Sequence, residues 1–415
     1  MKRYIFIILT LLSSSIYAAN TLTHNFWGFG EGLGYNGIDV TASYTMDVAA
    51  NPIGGEKKGF AQAGSLGLGI IFDLDHLFNW TGWSLNNSWV WRSGNSLTKE
   101  KINNQFNVQQ VWGGQNFRLN ELFIQNAVSD VFLFKAGRLD AGNDFLASPL
   151  YCDFMNNGFC GNPVGIFFNG VFSAYPNAQW AAYLSFKPID TILAKFGIYN
   201  TNASVSQNHY HGMDWEFEND VGVQLITEWV YLVNQEEYSP GLPGNYKVGF
   251  MYYTGNFPEF LGDSHKGNYN YYFLFDQTVY RHEECGCITD RGLTPFIGLI
   301  FGPKNRNEFP FFGVGGLVYQ GLFPQRPLDT TALGFIYGSY SKDMRLNQNQ
   351  AKSFGIMGPY GNMPQTYEAV IELSHNFIFS GWFSIMPDVQ YIINPKGYGT
   401  IDNALVVGFQ FNVNI

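Results

Sequence analysis

Two short groupings of residues could take part in catalysis or metal binding. His209 and His211 form a His-x-His pair, and Glu216 and Glu218 follow in the same polar stretch. Two imidazoles can supply two of the ligands of a zinc site, and two carboxyl groups can form the catalytic pair of a glycosidase. Neither grouping has the further ligands or the framework that such chemistry needs, and the sequence contains no serine-hydrolase, phosphate-loop or zinc-helix motif. We therefore interpret both as solvated loop residues and predict no enzyme activity, cofactor or metal.

The N-terminus has the pattern of a secretory signal peptide. Lys2 and Arg3 precede a short apolar run, and small residues follow up to Ala18. The run is too short to cross a bilayer of about 30 Å as a helix. We therefore predict that residues 1–18 form a cleaved signal peptide that exports the chain.

The four cysteines form two close pairs. Cys152 and Cys160 flank a loop-like run and form a candidate disulfide, because an exported chain meets an oxidising compartment. Cys285 and Cys287 are too close in sequence for an easy internal bridge, and their role stays open.

Charged residues are scarce and aromatic residues are abundant. Charged side chains make up 13% of the chain, about half of the usual share in soluble domains, and aromatic side chains make up 18%. Together with 47 glycines, this composition suits a large membrane sheet with aromatic girdles and tight turns. The net charge of −10 gives no basic face for a nucleic acid.

The final stretch, residues 404–415, alternates between apolar and polar side chains. A two-residue period is that of a β-strand, whose successive side chains point to opposite faces. A soluble sandwich would bury the apolar face under a second sheet, whereas a membrane barrel would turn it to lipid and the amides to a wet lumen. One face carries Leu405, Val407, Phe409, Phe411, Val413 and Ile415, and the other carries Val406, Gly408, Gln410, Asn412 and Asn414.

Runs with this two-residue alternation recur along the chain, and no linker divides them into domains. Carboxylates in mid-strand, such as Glu372 and Asp388, are costly in a dry core but not in a water-filled lumen. We therefore predict an all-β fold, a transmembrane antiparallel β-barrel over residues 37–415, preceded by an N-terminal segment at 19–36. Sixteen strands are predicted, an even number as in bacterial barrels, near residues 37–47, 60–73, 82–92, 117–127, 131–139, 178–186, 193–199, 220–231, 245–253, 268–281, 293–302, 311–320, 331–341, 366–377, 381–392 and 403–414.

Two long irregular segments interrupt the strands, at residues 93–116 and 140–177. Segments of this length in a compact fold are usually functional. They either fold inward and constrict the pore or form long outward-facing loops, and the residues alone leave both arrangements open.

Several blocks, in order and spacing, resemble the carbohydrate-selective porins of the OprB family, most clearly over residues 84–415. The resemblance implies an outer-membrane barrel of sixteen strands that passes sugars by diffusion through a pore narrowed by arginine, acidic and aromatic side chains. The chain departs from the family in its cysteines and in ending at Ile415, where an aromatic residue is usual. The blocks are residues 90–94 (VWRSG), 108–114 (VQQVWGG), 118–122 (RLNEL), 136–139 (AGRL), 321–324 (GLFP) and 386–391 (MPDVQY).

Three arginines in the matching blocks, Arg92, Arg118 and Arg138, are candidates to line the pore. A guanidinium presents hydrogen-bond donors in a rigid fork, which suits sugar hydroxyls. The alternative is a position at the lipid headgroups, where long cationic side chains snorkel. Strict alternation places Arg138 on the lipid-like face of Phe134 and Ala136 unless a bulge intervenes.

The other pore-lining candidates are carboxylates and amides, which accept or donate hydrogen bonds, and an aromatic ring, which stacks on a sugar ring. Glu121 and Gln125 are predicted to share a lumenal face with Phe117 and Phe123. The candidates are Glu121, Phe123, Gln125, Asp388 and Gln390.

The resemblance therefore implies a bacterial outer-membrane porin for small sugars, in contact with membrane lipid and inserted by the barrel-assembly machinery. Whether it is a monomer or a trimer stays open. Two other functions also stay open. One is a structural or adhesive barrel with a plugged lumen, and the other is a secreted β-protein that acts on glycans.

Overall fold

The computed structural model describes residues 21–129, 131–217, 222–235, 239, 241–284, 287–356 and 363–415. The signal peptide predicted over residues 1–18 lies outside this part of the chain, as does Cys285, the partner of Cys287 in the close pair.

One antiparallel sheet makes up most of the described chain and closes on itself. Neighbouring strands pair in chain order, with β10 and β11 both paired to β12, and the last strand pairs with the first. The strands are β1 (Ile38–Ile53), β2 (Gly59–Asp73), β3 (Trp83–Gly94), β4 (Phe117–Ser129), β5 (Phe132–Leu139), β6 (Gln179–Ile189), β7 (Ile192–Asn200), β8 (Val223–Val233), β9 (Gly244–Pro258), β10 (Ser264–Gln277), β11 (Tyr280–Glu284), β12 (Cys287–Phe301), β13 (Phe311–Gln320), β14 (Thr330–Ser339), β15 (Tyr367–Ser380), β16 (Phe383–Ile393) and β17 (Ala404–Asn414).

The sheet is a barrel of sixteen strands, as predicted. β10 and β11 both pair with β12, so these two segments form one barrel strand that is interrupted at residues 278–279. Each predicted strand corresponds to a strand of the structure. β1 and β9 extend several residues beyond their predicted ends, because backbone pairing continues where the apolar alternation fades.

The two faces of the barrel wall follow the predicted alternation. Val389, Val407 and Phe409 point outward with more than 40% of their surface exposed, whereas Gln390 and Val406 point inward and are fully buried. An exposed apolar belt on the outside of a closed sheet is the surface that lipid covers in a transmembrane barrel.

The connections differ in length between the two ends of the barrel. At one end, the short-turn end, consecutive strands are joined by tight turns, for example at residues 190–191 and 381–382. At the other end, the long-loop end, the longest connections span residues 95–116, 140–178, 201–222 and 340–366.

The helices are short. Their bounds are α1 (His24–Trp27), α2 (Phe29–Gly34), α3 (Leu74–Phe78), α4 (Ala141–Asp144) and α5 (Lys342–Ser353), with 3-10 turns at Pro149–Asp153, Val164–Phe168, Ala203–Ser206, Asn208–Tyr210 and Pro395–Gly397 and a π-turn at Thr98–Ile102. In the described part of the chain, none of the helices is both long and apolar enough to cross a membrane.

The segment before β1 lies at the short-turn end. α1 is an irregular turn in which Asn25 and Phe26 have left-handed backbone angles. Leu22 N donates to Asn414 O at 2.8 Å, which ties this segment to the end of β17.

Both long irregular segments fold into the barrel. We call residues 95–116 the first inward loop and residues 140–178 the second inward loop. Their aromatic rings pack inside the wall: Phe154 and Phe159 stack with centroids 4.1 Å apart, and a Cβ at inward-facing Gly334 would lie 2.5 Å from the Phe154 ring. Glycine at this position therefore makes room for the loop, and part of the lumen that we expected to be wet is a packed apolar core.

Because the outward face meets lipid, a charged residue placed there should destabilise the barrel, by an amount that depends on its depth in the membrane. Replacing Val407 with arginine should lower the free energy of unfolding in lipid by about 2–4 kcal/mol if the residue lies near the midplane, because a cation would enter hydrocarbon. The matched variant Ser43→Arg, on the inner face of β1, should change it by only about 0.5 kcal/mol. Reversible urea unfolding in lipid vesicles measures both, and equal effects would contradict the face assignment.

Candidate functional site

Two glutamates of β15 hold the inward loops. Glu368 accepts a hydrogen bond from Phe106 N at 2.9 Å. Glu372 accepts from Met155 N at 2.6 Å and from Asn156 N at 3.0 Å. Both carboxylates are fully buried, so the backbone N–H groups of the loops replace the water that these anions would otherwise bind. One strand of the wall thus fixes both inward loops.

A second set of charges holds the start of the second inward loop against the opposite wall. Lys135 Nζ lies 2.7 Å from Asp144 Oδ1, and both side chains are almost completely buried. Lys195 Nζ lies 2.8 Å from Glu228 Oε1, and Glu228 also accepts from Leu146 N at 3.0 Å. Because an unpaired buried charge is costly, these contacts fix residues 144–146 to β5, β7 and β8.

Asp388 and Gln390 face the lumen, as predicted, but they do not line open water. Gln390 Nε2 donates to Asp388 Oδ1 at 2.8 Å and to Val108 O at 3.2 Å, and Asn156 Nδ2 donates to Gln390 Oε1 at 2.8 Å. Both side chains are covered by the inward loops. The prediction that they line the pore is therefore wrong, because alternation reports the face of a strand but not what covers it.

One part of the lumen that the loops leave open runs along β17 and β1–β4. Hydroxyl and amide side chains line most of its wall, and the carboxylates of Asp39, Asp73 and Glu121 also face inward there. Thr45 Oγ1 donates to Asn412 Oδ1 at 2.9 Å across the closure of the barrel. The partly exposed, inward-facing hydroxyl and amide residues of this strip are Thr41, Ser43, Thr45, Ser84, Asn86, Ser88, Gln125, Asn412 and Asn414.

Both inward loops contact Arg92, at the border of this strip. Its Nη1 donates to Gly113 O at 3.1 Å, and its Nε donates to Ser65 Oγ at 3.4 Å. The guanidinium carbon lies 4.9 Å from the centroid of the Tyr175 ring. Gly113 belongs to the first inward loop and Tyr175 to the second, so Arg92 joins both loops to β2 and β3.

Tyr175 is a residue of this site that the sequence did not reveal. Its hydroxyl lies 3.5 Å from Ser65 Oγ, and burial raises its pKa above the usual value, so the hydroxyl stays protonated at neutral pH. It occupies an irregular segment without periodicity, and its neighbour Pro176 was the only local signal.

A β-bulge decides the orientation of Arg118. The register between β3 and β4 shifts at Asn120, which has no partner between the pairs Ser88–Glu121 and Trp89–Leu119. This extra residue turns Arg118 inward and Phe117 outward, where its ring stacks on Trp89 at 5.3 Å. The predicted common face of Phe117 with Glu121 and Gln125 is therefore wrong.

Arg118 is buried in a network of amides and carbonyls at the long-loop end. It donates to Asn116 Oδ1 at 2.9 Å, to Ser206 O at 3.2 Å and to Asn177 Oδ1. The side chain faces the lumen but is enclosed by the loops, so it positions the end of the second inward loop rather than lying in free solution.

Glu121, Phe123 and Gln125 share the inner face of β4. Glu121 accepts from Asp140 N at 2.9 Å, and burial, followed by the charge of Glu121, raises the pKa of the Asp140 carboxyl well above its usual range. Phe123 is nearly buried, with its ring 5.5 Å from Lys135 Nζ, whereas Gln125 is partly exposed. Glu121 and Phe123 thus support the loop, and Gln125 borders the open strip.

Arg138 lies on the outer face of β5, in register with Leu122 and Trp180. Its guanidinium packs 5.9 Å from the Trp180 ring and 5.7 Å from the Trp215 ring, and its Nη2 donates to Ala178 O at 2.8 Å. The pairing of β5 with β6 has no register shift, so no bulge turns this side chain inward. The prediction that Arg138 lines the pore is wrong.

Cys152 and Cys160 lie in the second inward loop, with their Sγ atoms 3.1 Å apart and unbonded. His211 supports the rim, since its Nδ1 lies 2.7 Å from Phe117 O. Within the described residues, no group of three or more histidine, cysteine, aspartate or glutamate side chains is placed to hold a metal ion.

Removing one partner of the buried Lys135–Asp144 pair should lower the free energy of unfolding. Lys135→Met leaves Asp144 buried without its cation, and we expect a loss of about 3–5 kcal/mol in the free energy of unfolding. Lys304→Met is the matched control, because Lys304 is 64% exposed and lies 3.2 Å from Asp343; it should cost at most about 1 kcal/mol. Urea titration monitored by tryptophan fluorescence measures both, and a Lys135 variant no worse than the control would rule out this anchoring role.

The family model of the carbohydrate-selective porins, OprB family, matches residues 57–415. Porin B of Pseudomonas aeruginosa is 28% identical to the chain, and the similarity covers 96% of this chain and 94% of that protein. A structure of Pseudomonas putida OprB determined at high pH superimposes with a TM-score of 0.88 at 26% identity, covering 95% of this chain and 98% of the other. The family model matches most of the sequence, and the closed barrel agrees with it. The chain therefore belongs to the carbohydrate-selective porin family, OprB.

Proposed function

We propose that small neutral sugars diffuse passively through the strip along β17 and β1–β4, and that the Arg92–Tyr175 contact is its selective constriction. The observation that carries this proposal is the convergence of both inward loops on Arg92, through Gly113 and Tyr175. In this proposal, a solute that follows the strip passes this contact.

The chemistry of the constriction suits hydroxylated solutes. Nε and Nη1 of Arg92 bind Ser65 and Gly113, whereas Nη2 makes no hydrogen bond to any described residue. It can therefore donate to a sugar hydroxyl, and the Tyr175 hydroxyl can donate or accept beside it.

The strip itself favours neutral solutes that bind weakly. Its hydroxyl and amide side chains replace water hydrogen bonds of a sugar one at a time, and the carboxylates of Asp39, Asp73 and Glu121 can accept further hydrogen bonds from sugar hydroxyls. A series of weak contacts lets a solute enter and also leave, as conduction requires. Gln125 has the longest of the amide side chains.

Export and orientation complete the proposal. The basic start and apolar run before Ala18 support cleavage of residues 1–18 and passage to the bacterial outer membrane, where the barrel-assembly machinery would insert the chain. In barrels of this class the tight turns face the periplasm, so the inward loops enter the lumen from the cell surface.

A plugged structural barrel is the second candidate, because the rings of Phe106, Phe154 and Phe159 fill the lumen against β13–β15. Liposome swelling separates the two functions. Vesicles that contain the purified protein should swell in isosmotic glucose or another small neutral sugar faster than vesicles without protein. Absence of both swelling and ion conductance would favour the plug.

The constriction predicts a specific change on mutation. Arg92→Ala removes the charged donor and widens the contact with Tyr175, so we expect a higher ion conductance and about a tenfold weaker block of the current by sugar. Arg138→Ala is the contrast, because Arg138 faces outward; the concentration of sugar that halves the current should stay within about twofold. Titrations in planar bilayers measure both, and a stronger effect at position 138 would overturn the assignment.

A further inference from the structure

A pair of thiols closes the base of one lobe of the second inward loop. We call residues 152–160 the lumenal lobe. Cys160 donates its thiol hydrogen to Cys152 Sγ, and the two sulfur atoms are 3.1 Å apart. Cys152 is exposed and Cys160 is buried.

The lumenal lobe is a compact unit fixed to the wall on one side. Thr330 Oγ1 donates to Asp153 Oδ1 at 2.5 Å, and Glu372 binds the backbone N–H groups of Met155 and Asn156. These contacts hold the middle of the lobe against β14 and β15. The two ends of the lobe meet at the cysteines.

We propose that Cys152 and Cys160 form a disulfide in the exported protein, and that this bond clasps the lumenal lobe so that it stays packed inside the barrel. The closed ring is small, and a covalent link at its base removes conformations in which the lobe opens and its ends separate. The proposal is independent of which solute the barrel passes.

The bond forms by thiol–disulfide exchange with a disulfide of an oxidoreductase or of a small molecule. The Cys152 thiolate attacks that disulfide, forms a mixed disulfide and releases one thiol of the partner. The Cys160 thiolate then attacks Cys152 Sγ and releases the second thiol. Two cysteines are oxidised, one partner disulfide is reduced, and the two protons leave with the partner's thiols. The hydrogen bond from Cys160 lowers the pKa of Cys152, which favours it as the first nucleophile.

Peptide mapping tests the bond itself. Protein is purified from outer membranes in the presence of iodoacetamide and without reductant. No lysine or arginine separates the two cysteines, so one tryptic peptide contains both. We expect this peptide unalkylated and two hydrogen masses lighter than its reduced form, and cyanogen bromide, which cleaves after Met155, should separate its halves only after reduction. Alkylation of both cysteines, or a link from either one to Cys285 or Cys287, overturns the proposal.

Hydrogen exchange tests the clasp. Reduction, or the variant Cys152→Ser/Cys160→Ser, should raise the exchange rate of the Met155 and Asn156 amides on the order of tenfold or more and increase the noise of the open-channel current. The control variant Cys285→Ser/Cys287→Ser should behave as the unaltered protein in both measurements. A bond that is present but whose reduction leaves both readouts unchanged overturns its role as a clasp.

Discussion

The hydrogen bonding of the backbone is the constraint on which the rest of this structure depends. Hydrocarbon offers no partner to an N–H or C=O group, so a sheet in lipid has to pair every strand and leave no edge. The antiparallel pairing of β1 with β17 meets this demand by closing the sheet. Once the wall is closed, each side chain has one of two surroundings, and the two-residue alternation of the sequence follows from that division.

Inside the wall, ionic and amide side chains fix the loops instead of facing water. Glu372 binds loop N–H groups, and Lys135 pairs with Asp144 from the loop. Each buried charge is costly alone and is offset only by a partner in the correct place. The positions of these charges therefore determine where the inward loops attach, and the rings between them complete a core that is separate from the membrane.

The loops divide the lumen into a packed side and a polar side. The packed side lies against the strands that carry the glutamates, and the open strip lies along β17 and β1–β4. Arg92 stands at the border, because its guanidinium touches Ser65 of the wall and Gly113 and Tyr175 of the two loops. A wide barrel thereby obtains a narrow passage without a change in the number of its strands, and the proposed clasp between Cys152 and Cys160 would preserve that division.

The sequence by itself determined the barrel, the membrane-facing rows and the inner face of residues such as Glu121 and Gln390, because the direction of a side chain in a strand depends only on its neighbours in the chain. The tertiary structure decided the rest. The bulge at Asn120 turned Arg118 inward, and uninterrupted pairing with β6 kept Arg138 outside. Whether an inner face meets water or a loop depends on segments far away in sequence, and for this reason neither the burial of Asp388 nor the position of Tyr175 could be read from the local pattern.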